Sequence, residues 1–219
     1  MDRGARSSPR TLLKHLEHLK TTAAAPVRRA DAPNRVRIIG GRYRRTPIPV
    51  ADRAQLRPTP DRVRETLFNW LSHLRHDLPT VRGLDLFAGT GALGFELASR
   101  GAREVVLVER DPKLVERLIA LRDRLAASEI QVVRGDAIEV ARSLDPATFD
   151  LIFVDPPYGE PLLRPALAAT CRLLAPGGSI YAEAGAPLAD AELQALGLQA
   201  LRSGRAGRVH FYLLGVQQS

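Results

Sequence analysis

The chain is 219 residues long and 45% hydrophobic, with one cysteine and a formal net charge of +8. This length suits one α/β domain with an appendage; the lone Cys171 excludes an internal disulfide and fits a reducing, cytoplasmic setting, and no apolar run reaches the ~20 residues of a membrane span. Residues 1–64 hold 16 Lys and Arg against 5 Asp and Glu, a net of +11, whereas residues 65–219 hold 16 against 19, a net of −3, so the basic character is N-terminal and points to a polyanionic partner.

Residues 1–34 read as a basic arm. Leu12, Leu13, Leu16 and Leu19 share one helical face, and Thr21 to Pro26 is a linker. Asp2, Glu17 and Asp31 argue against an organellar transit peptide. Arg35–Ile39 and Tyr43–Ile48 flank Gly40-Gly41, the pattern of a β-hairpin from which Arg35, Arg37, Arg42, Arg44 and Arg45 fan out. Two short strands are marginal alone, so the hairpin should pack on the main domain or on a ligand. After the extended stretch around Arg57, Thr59 caps a helix that opens on Pro60. Val63, Leu67, Trp70, Leu71 and Leu74 mark its buried face, Arg62 and Arg64 lie in its first turns, and Pro79 ends the element.

From residue 81 apolar strands alternate with helices. Strands are expected at 81–87, 104–108, 130–133, 149–154 and 179–183, and helices at 92–99, 112–126, 137–143 and 162–174. That alternation implies a doubly wound, mostly parallel sheet covered on both faces. Residues 198–202 and 209–214, split by Ser203 to Gly207, read as a closing antiparallel hairpin.

Leu84 to Gly94 ends the first strand of this sheet and opens a helix, where a nucleotide loop belongs. Gly89 and Gly91 permit a tight turn and close approach of a ligand, and Gly94 permits close helix packing. Glu109 ends the second strand 20 residues after Gly89 and can accept from both hydroxyls of a ribose. Asp136, after the third strand, can accept from an adenine amino group. Phe87 and Ala137 complete the cofactor set. These features also match an NAD site. Asp85 favours S-adenosylmethionine, because a carboxylate there would repel a pyrophosphate but attract the ammonium of an amino acid.

Asp155-Pro156-Pro157-Tyr158 follows the buried run Leu151 to Val154. In a doubly wound sheet ligands bind beyond the carboxyl ends of the strands, so Asp155 should stand near Gly89. An exocyclic amino group on a base is a weak nucleophile because its lone pair is delocalised into the ring. The Asp155 carboxylate and the Pro156 carbonyl can take its two hydrogens and expose that lone pair. Pro156 and Pro157 stiffen the backbone so that the carbonyl stays aimed. Tyr158 can stack on the base, a contact of about 1–3 kcal/mol. Tyr181 and Glu183 either line the target pocket or serve as a core edge. His15-x-x-His18 and His73-x-x-His76 have helical metal spacing, but without a third ligand nearby they read as surface histidines, and no metal is expected.

Arg37 to Gly41, Leu56 to Thr59, Asp61 to Asn69, Leu84 to Gly94 and Asp155 to Tyr158 fall in an order that resembles the RsmD-type methyltransferases, with Gly207 to Tyr212 similar to the family's last strand. The resemblance covers about residues 35–215. It departs at the prefix 1–34 and at Pro60, where a polar residue is expected. It implies a class I methyltransferase (Rossmann-like) fold, a seven-stranded sheet with an antiparallel C-terminal strand, and a small N-terminal hairpin and helix region. It also implies methyl transfer from S-adenosylmethionine to N2 of one guanine in 16S rRNA of the small ribosomal subunit. The domains are then a basic arm at 1–34, an RNA-facing hairpin and helix at 35–80, and the methyltransferase domain at 81–219. Arg37, Arg42, Arg44, Arg45, Arg57, Arg62 and Arg64 are the candidate RNA contacts, on a monomer without membrane association. The competing readings are an amino-directed DNA methyltransferase and a non-catalytic RNA-binding assembly factor.

Overall fold

The computed structural model describes residues 35–49, 61–74, 78–157 and 161–217. The arm at 1–34, Arg57, the Thr59 cap, Pro60, His76 and Tyr158 lie outside the described residues. The strands are β1 Arg35–Arg37, β2 Pro47–Pro49, β3 Arg82–Asp85, β4 Glu104–Glu109, β5 Ile130–Arg134, β6 Phe149–Val154, β7 Leu174–Ala184, β8 Leu198–Ala206 and β9 Val209–Val216. The helices are α1 Asp61–Leu74, α2 Ala92–Ser99, α3 Pro112–Arg124, α4 Ala137–Ser143, α5 Leu163–Cys171 and α6 Asp190–Ala195. No helix among the described residues is long and apolar enough to cross a membrane.

Strands β3 to β9 form one sheet in the order β5-β4-β3-β6-β7-β9-β8, in which only β9 runs against the rest. The central runs Val105–Val108 and Leu151–Val154 are buried throughout, as expected of parallel strands covered on both faces. Local chemistry sets the helix starts. Asp111 accepts from Lys113 N at 2.8 Å with Pro112 at the first helical position of α3. Asp136 accepts from Ile138 N and Glu139 N at 2.9 and 3.1 Å to open α4. The sheet is the doubly wound, mostly parallel one expected from the alternation, and the fold is the class I methyltransferase fold that the resemblance implies.

One face of the sheet carries β1, β2 and α1 to α3. There Ile38, Ile48, Leu67 and Phe68 join Leu107, Phe153, Tyr181 and Phe211 in one core. The other face carries α4 to α6 against Leu86, Val108, Ile152, Ile180 and Tyr212. The first segment is therefore anchored in the core of the sheet. In α1, Val63, Leu67 and Leu71 are buried as expected, Trp70 is half-buried, and Leu74 is exposed; Phe68 and Arg64 complete the buried face.

Four elements differ from expectation. Gly40-Gly41 is not a tight hairpin turn: β1 and β2 pair over three residues each, and nine residues separate them. The glycine pair instead docks on the C-terminal end of α2. Arg42 N donates to Ser99 O at 2.8 Å, Tyr43 N to Ser99 Oγ at 2.9 Å, and Ser99 Oγ to Gly40 O at 2.5 Å. Strand β7 starts at Leu174, because Leu174 pairs with Phe149 before a register shift. Strand β8 continues through Ser203 to Ala206, since Gly204 pairs with Phe211 and Arg205 with His210, leaving Gly207-Arg208 as the turn. Helix α6 was not expected; it is only six residues long, too short for a clear period.

Gly41 has φ +72°, and a Cβ there would stand 1.8 Å from Ser99 O. Gly41→Ala is expected to cost about 1–3 kcal/mol from the left-handed backbone alone, with the overlap added. Urea unfolding checks this; an unchanged midpoint would mean that the loop does not depend on its seat at Ser99.

Candidate active site

The sheet order reverses between β3 and β6, which lie side by side although β4 and β5 intervene in sequence. Asp85 pairs with Phe153, and Leu86 N donates to Phe153 O at 3.0 Å. Continuing that register puts Phe87 level with Asp155. The glycine loop after β3 and the Asp-Pro-Pro stretch after β6 thus leave the sheet side by side, at the position where doubly wound sheets bind ligands.

The loop turns on Gly89 and Gly91, at φ +51° and +80°, and Gly91 caps α2 in the left-handed conformation. Gly89 N donates to Glu109 Oε2 at 2.9 Å, and Asp111 N donates to Oε1 at 2.8 Å. The Glu109 carboxylate is therefore held in place at the end of β4, half-exposed beside the loop. Asp136 is exposed at the end of the β5 connection. Its Oδ1 takes both capping bonds, and Ala137 is buried behind it.

Asp85 lies beneath the loop and is only 2% exposed. Its Oδ2 accepts from Gly94 N at 3.0 Å, and a Cβ on Gly94 would stand 3.2 Å from that oxygen and 2.1 Å from Leu107. Burial raises the Asp85 pKa from the ordinary 3.8 to about 7; the Gly94 bond opposes this, and the charge of Glu109 adds to it. Strands β3 and β4 thus end in carboxylates, and a third, Asp136, stands two residues past β5. No such set suits a pyrophosphate. It suits a cationic ligand that carries a ribose.

Asp155, Pro156 and Pro157 are half-buried at the end of β6. The next strand, β7, brings Tyr181 and Glu183 to the same edge. Tyr181 is fully buried and donates its hydroxyl to Glu183 Oε1 at 2.8 Å. Its phenol is pushed well above the ordinary value by burial and then by the charges of Glu183 and Asp155. The ring packs edge-on against Phe153, centroids 6.2 Å apart, so Tyr181 braces the wall beside Asp155 rather than presenting a stacking face.

The arginines expected on one surface separate into two kinds. Arg44, Arg45 and Arg62 are exposed. Arg37 is exposed and pairs with Asp61 at 3.5 Å. Arg42 pairs with Glu129 and lies over the Tyr43 ring, 4.6 Å from its centroid. Arg64 departs from the expectation: it is fully buried, donating to Asp61 Oδ1 at 2.6 Å and to Arg37 O at 2.9 Å. Its NH1 stands 3.8 Å from Glu96 Oε2. It is a strut inside the protein, because its position on α1 faces α2 rather than solvent.

Glu96 was not singled out in the sequence. It is fully buried in α2 and accepts from Ile39 N, Gly40 N and Arg100 Nε at 2.6, 2.8 and 2.7 Å. The only sequence signal for it is a lone acid in the apolar helix Ala92–Ser99, where a buried carboxylate needs partners. Glu96 explains two stretches at once: Gly40-Gly41 and Arg64 meet on it.

A family model, "Conserved hypothetical protein 95", matches residues 36–215. "Ribosomal RNA small subunit methyltransferase D" of Escherichia coli (strain K12) is 42% identical over 150 residues, covering 68% of this chain and 71% of the relative. The protein of the same name from Haemophilus influenzae is 36% identical over 158 residues, 70% of this chain and 80% of the relative. Among solved structures, "Putative methyltransferase yhhF" from Escherichia coli superposes with a TM-score of 0.72 at 34% identity, covering 85% of this chain and all of that one. The chain therefore belongs to this family, that of the RsmD-type methyltransferases.

Proposed function

We propose that this chain transfers a methyl group from S-adenosylmethionine to the exocyclic N2 of a guanine in 16S rRNA, within the small ribosomal subunit or a precursor of it. The observation that carries the proposal is the register that sets Asp155 and Pro156 beside the loop of Gly89 and Gly91. When bound, the cofactor supplies an electrophilic methyl on a sulfonium. Glu109 holds the ribose hydroxyls, Asp136 the adenine amino group, and Asp85 the region of the ammonium; Phe87 and Ala137 are assigned to the walls. Asp155 and the Pro156 carbonyl accept the two N2 hydrogens, and Pro157 keeps that carbonyl aimed. Tyr158 is assigned the stacking contact. Arg44, Arg45 and Arg62, with Arg37, Arg42 and Arg57, take RNA phosphates along residues 35–80. Names of the relatives support rRNA as the substrate; the N2 position rests on the family resemblance. A monomer in the cytoplasm suffices for this chemistry.

The test is methyl transfer from labelled S-adenosylmethionine to unmodified small subunits, naked 16S rRNA and DNA, with the product mapped. The expected product is N2-methylguanosine in 16S rRNA. Label in DNA, or no transfer at all, overturns the reading.

Asp85 makes cofactor binding pH-dependent. Its folded pKa is raised to about 7 from 3.8, so between those values the folded protein holds a proton that the unfolded chain has lost. Its stabilising contribution is full below about pH 4 and is lost as pH rises towards 7. An ammonium nearby favours the ionised acid, so binding expels the proton. Cofactor affinity is expected to rise with pH up to about 7 and then level off, and Asp85→Asn should flatten the profile. Calorimetry across this range checks it; a flat wild-type profile would remove the ammonium from Asp85.

A further inference from the structure

Positive charge is not confined to the first 64 residues. Residues 193–219 contain Arg202, Arg205, Arg208 and His210 and no Asp or Glu, whereas residues 65–192 contain 13 Lys and Arg against 19 Asp and Glu. The β8–β9 pair gathers this charge at one place. Val154 pairs with Ala182, and Ala182 with Tyr212; two residues further out, Ala184 pairs with His210 and His210 with Arg205. Arg205 and His210 are thus level with Pro156, and Arg208 lies beyond them in the turn. At about 4.8 Å per strand, β8 stands about 14 Å from β6 along the edge that carries Asp155.

Among the described residues these guanidiniums have no carboxylate partner. Arg205 Nε donates to Gly207 O at 2.9 Å and Arg202 NH1 to Leu201 O at 2.8 Å. Among the described residues neither they nor Arg208 meets a carboxylate, whereas Arg64, Arg82, Arg100, Arg122 and Arg164 each do. Arg205 and Arg208 are exposed. The ribbon beneath them is fixed: Phe211 covers Gly204, where a Cβ would stand 2.4 Å from the ring, and packs on Trp70 with centroids 5.4 Å apart.

The edge is therefore electrically lopsided. On one side of Asp155 stand Asp85 and Glu109 at the ends of β3 and β4, and Asp136 two residues past β5; on the other, Glu183 of β7 comes first and the arginines of the β8–β9 pair lie beyond it. A polynucleotide whose base reaches Asp155 must carry its flanking backbone over this edge, and its β8–β9 end offers exposed guanidiniums that meet no carboxylate among the described residues. We propose that the β8–β9 turn is a second RNA-binding lip, in which Arg205 and Arg208 take backbone phosphates of the nucleotides flanking the target base. The proposal rests on the RNA-methylating reading above.

The test compares the full chain with its Arg205→Gln/Arg208→Gln variant, measuring affinity for unmodified small subunits and naked 16S rRNA over a range of salt, together with kcat, KM and S-adenosylmethionine binding. Expected are a roughly tenfold loss of RNA affinity near 0.1 M salt and a log–log salt slope smaller by about 1.5. The loss should fall on KM, with kcat and cofactor binding unchanged. Unchanged affinity and slope, while the wild-type chain methylates rRNA, overturn the lip alone. Lost affinity with an unchanged slope assigns the turn to a protein partner and overturns it as well. If the wild-type chain methylates no RNA, the functional reading fails and the lip with it.

Discussion

Asp155→Ala is expected to lower kcat for methyl transfer by about 10³-fold, with S-adenosylmethionine affinity unchanged. The amino nitrogen of guanine shares its lone pair with the ring, and acceptors fixed on its two hydrogens draw the nitrogen towards a tetrahedral shape. In the proposed reaction one acceptor is a carboxylate on a strand end that is buried as far as Val154, and the other is a carbonyl held by consecutive prolines. Such preset acceptors need no rearrangement during the reaction, and losing one is worth about 4 kcal/mol of barrier. Cofactor affinity should not follow, because the residues proposed to hold the cofactor stand at the ends of β3 and β4 and just past β5. Asp155→Asn separates charge from shape: it keeps one oxygen but replaces the other with a donor, and should fall between alanine and wild type. Transient kinetics and equilibrium binding measure the two parts. A variant that turns over normally at saturation but has lost cofactor affinity would transfer Asp155 from the amino group to the cofactor.

Periodicity and end signals made most of the sheet legible. Helix α2, helix α4 and strand β6 begin and end where the sequence places them, because Gly91, Asp136 and the Pro156-Pro157 pair punctuate them locally. The placement of Asp85, Glu109 and Asp136 along one edge was legible for the same reason: they stand at or just past the ends of successive strands, and strand ends are local. Interactions between distant segments were not. Gly40-Gly41 has the local chemistry of a tight turn, but its conformation answers to Ser99, nearly sixty residues away. Arg64 reads as one more surface arginine on a basic helix, and only the approach of α1 to α2 buries it. The β8–β9 arginines were hidden by averaging, since their charge is outweighed by the acids of residues 65–192. The hydrogen bonds of Glu96 depend on tertiary packing that no single-sequence pattern reports.

Glu96→Ala is expected to destabilise the protein by about 3–5 kcal/mol, the range for removing one partner of a buried charge pair. The side chains of Arg64 and Glu96 are both fully buried, so water cannot replace the lost partner. Arg64 NH1 and Nε already lack a hydrogen-bond partner within the described structure, and at 3.8 Å the Glu96 carboxylate acts on NH1 as a neighbouring charge. Removing it leaves Arg64 with Asp61 at its outer end and also strips Ile39 N and Gly40 N of their acceptor. Typical domains are stable by only 5–15 kcal/mol, so this single change should move the urea midpoint further than any surface substitution. Glu96→Gln keeps the shape and one acceptor oxygen and should cost less. Arg64→Met should also cost less, because Glu96 retains Arg100 and the two backbone donors. The Arg64→Met/Glu96→Ala pair should cost less than the sum by about 1–3 kcal/mol, since the stranded cation is gone. A Glu96→Ala loss under about 1 kcal/mol, or strict additivity, would show that the two charges do not depend on each other. The consequence reaches the site because α2 starts at Gly91 of the cofactor loop and ends at Ser99, where the Gly40-Gly41 loop is seated. Loosening Glu96 therefore frees the proposed RNA-facing segment from the helix that opens the cofactor loop, and the KM for RNA should rise even where the variant remains folded.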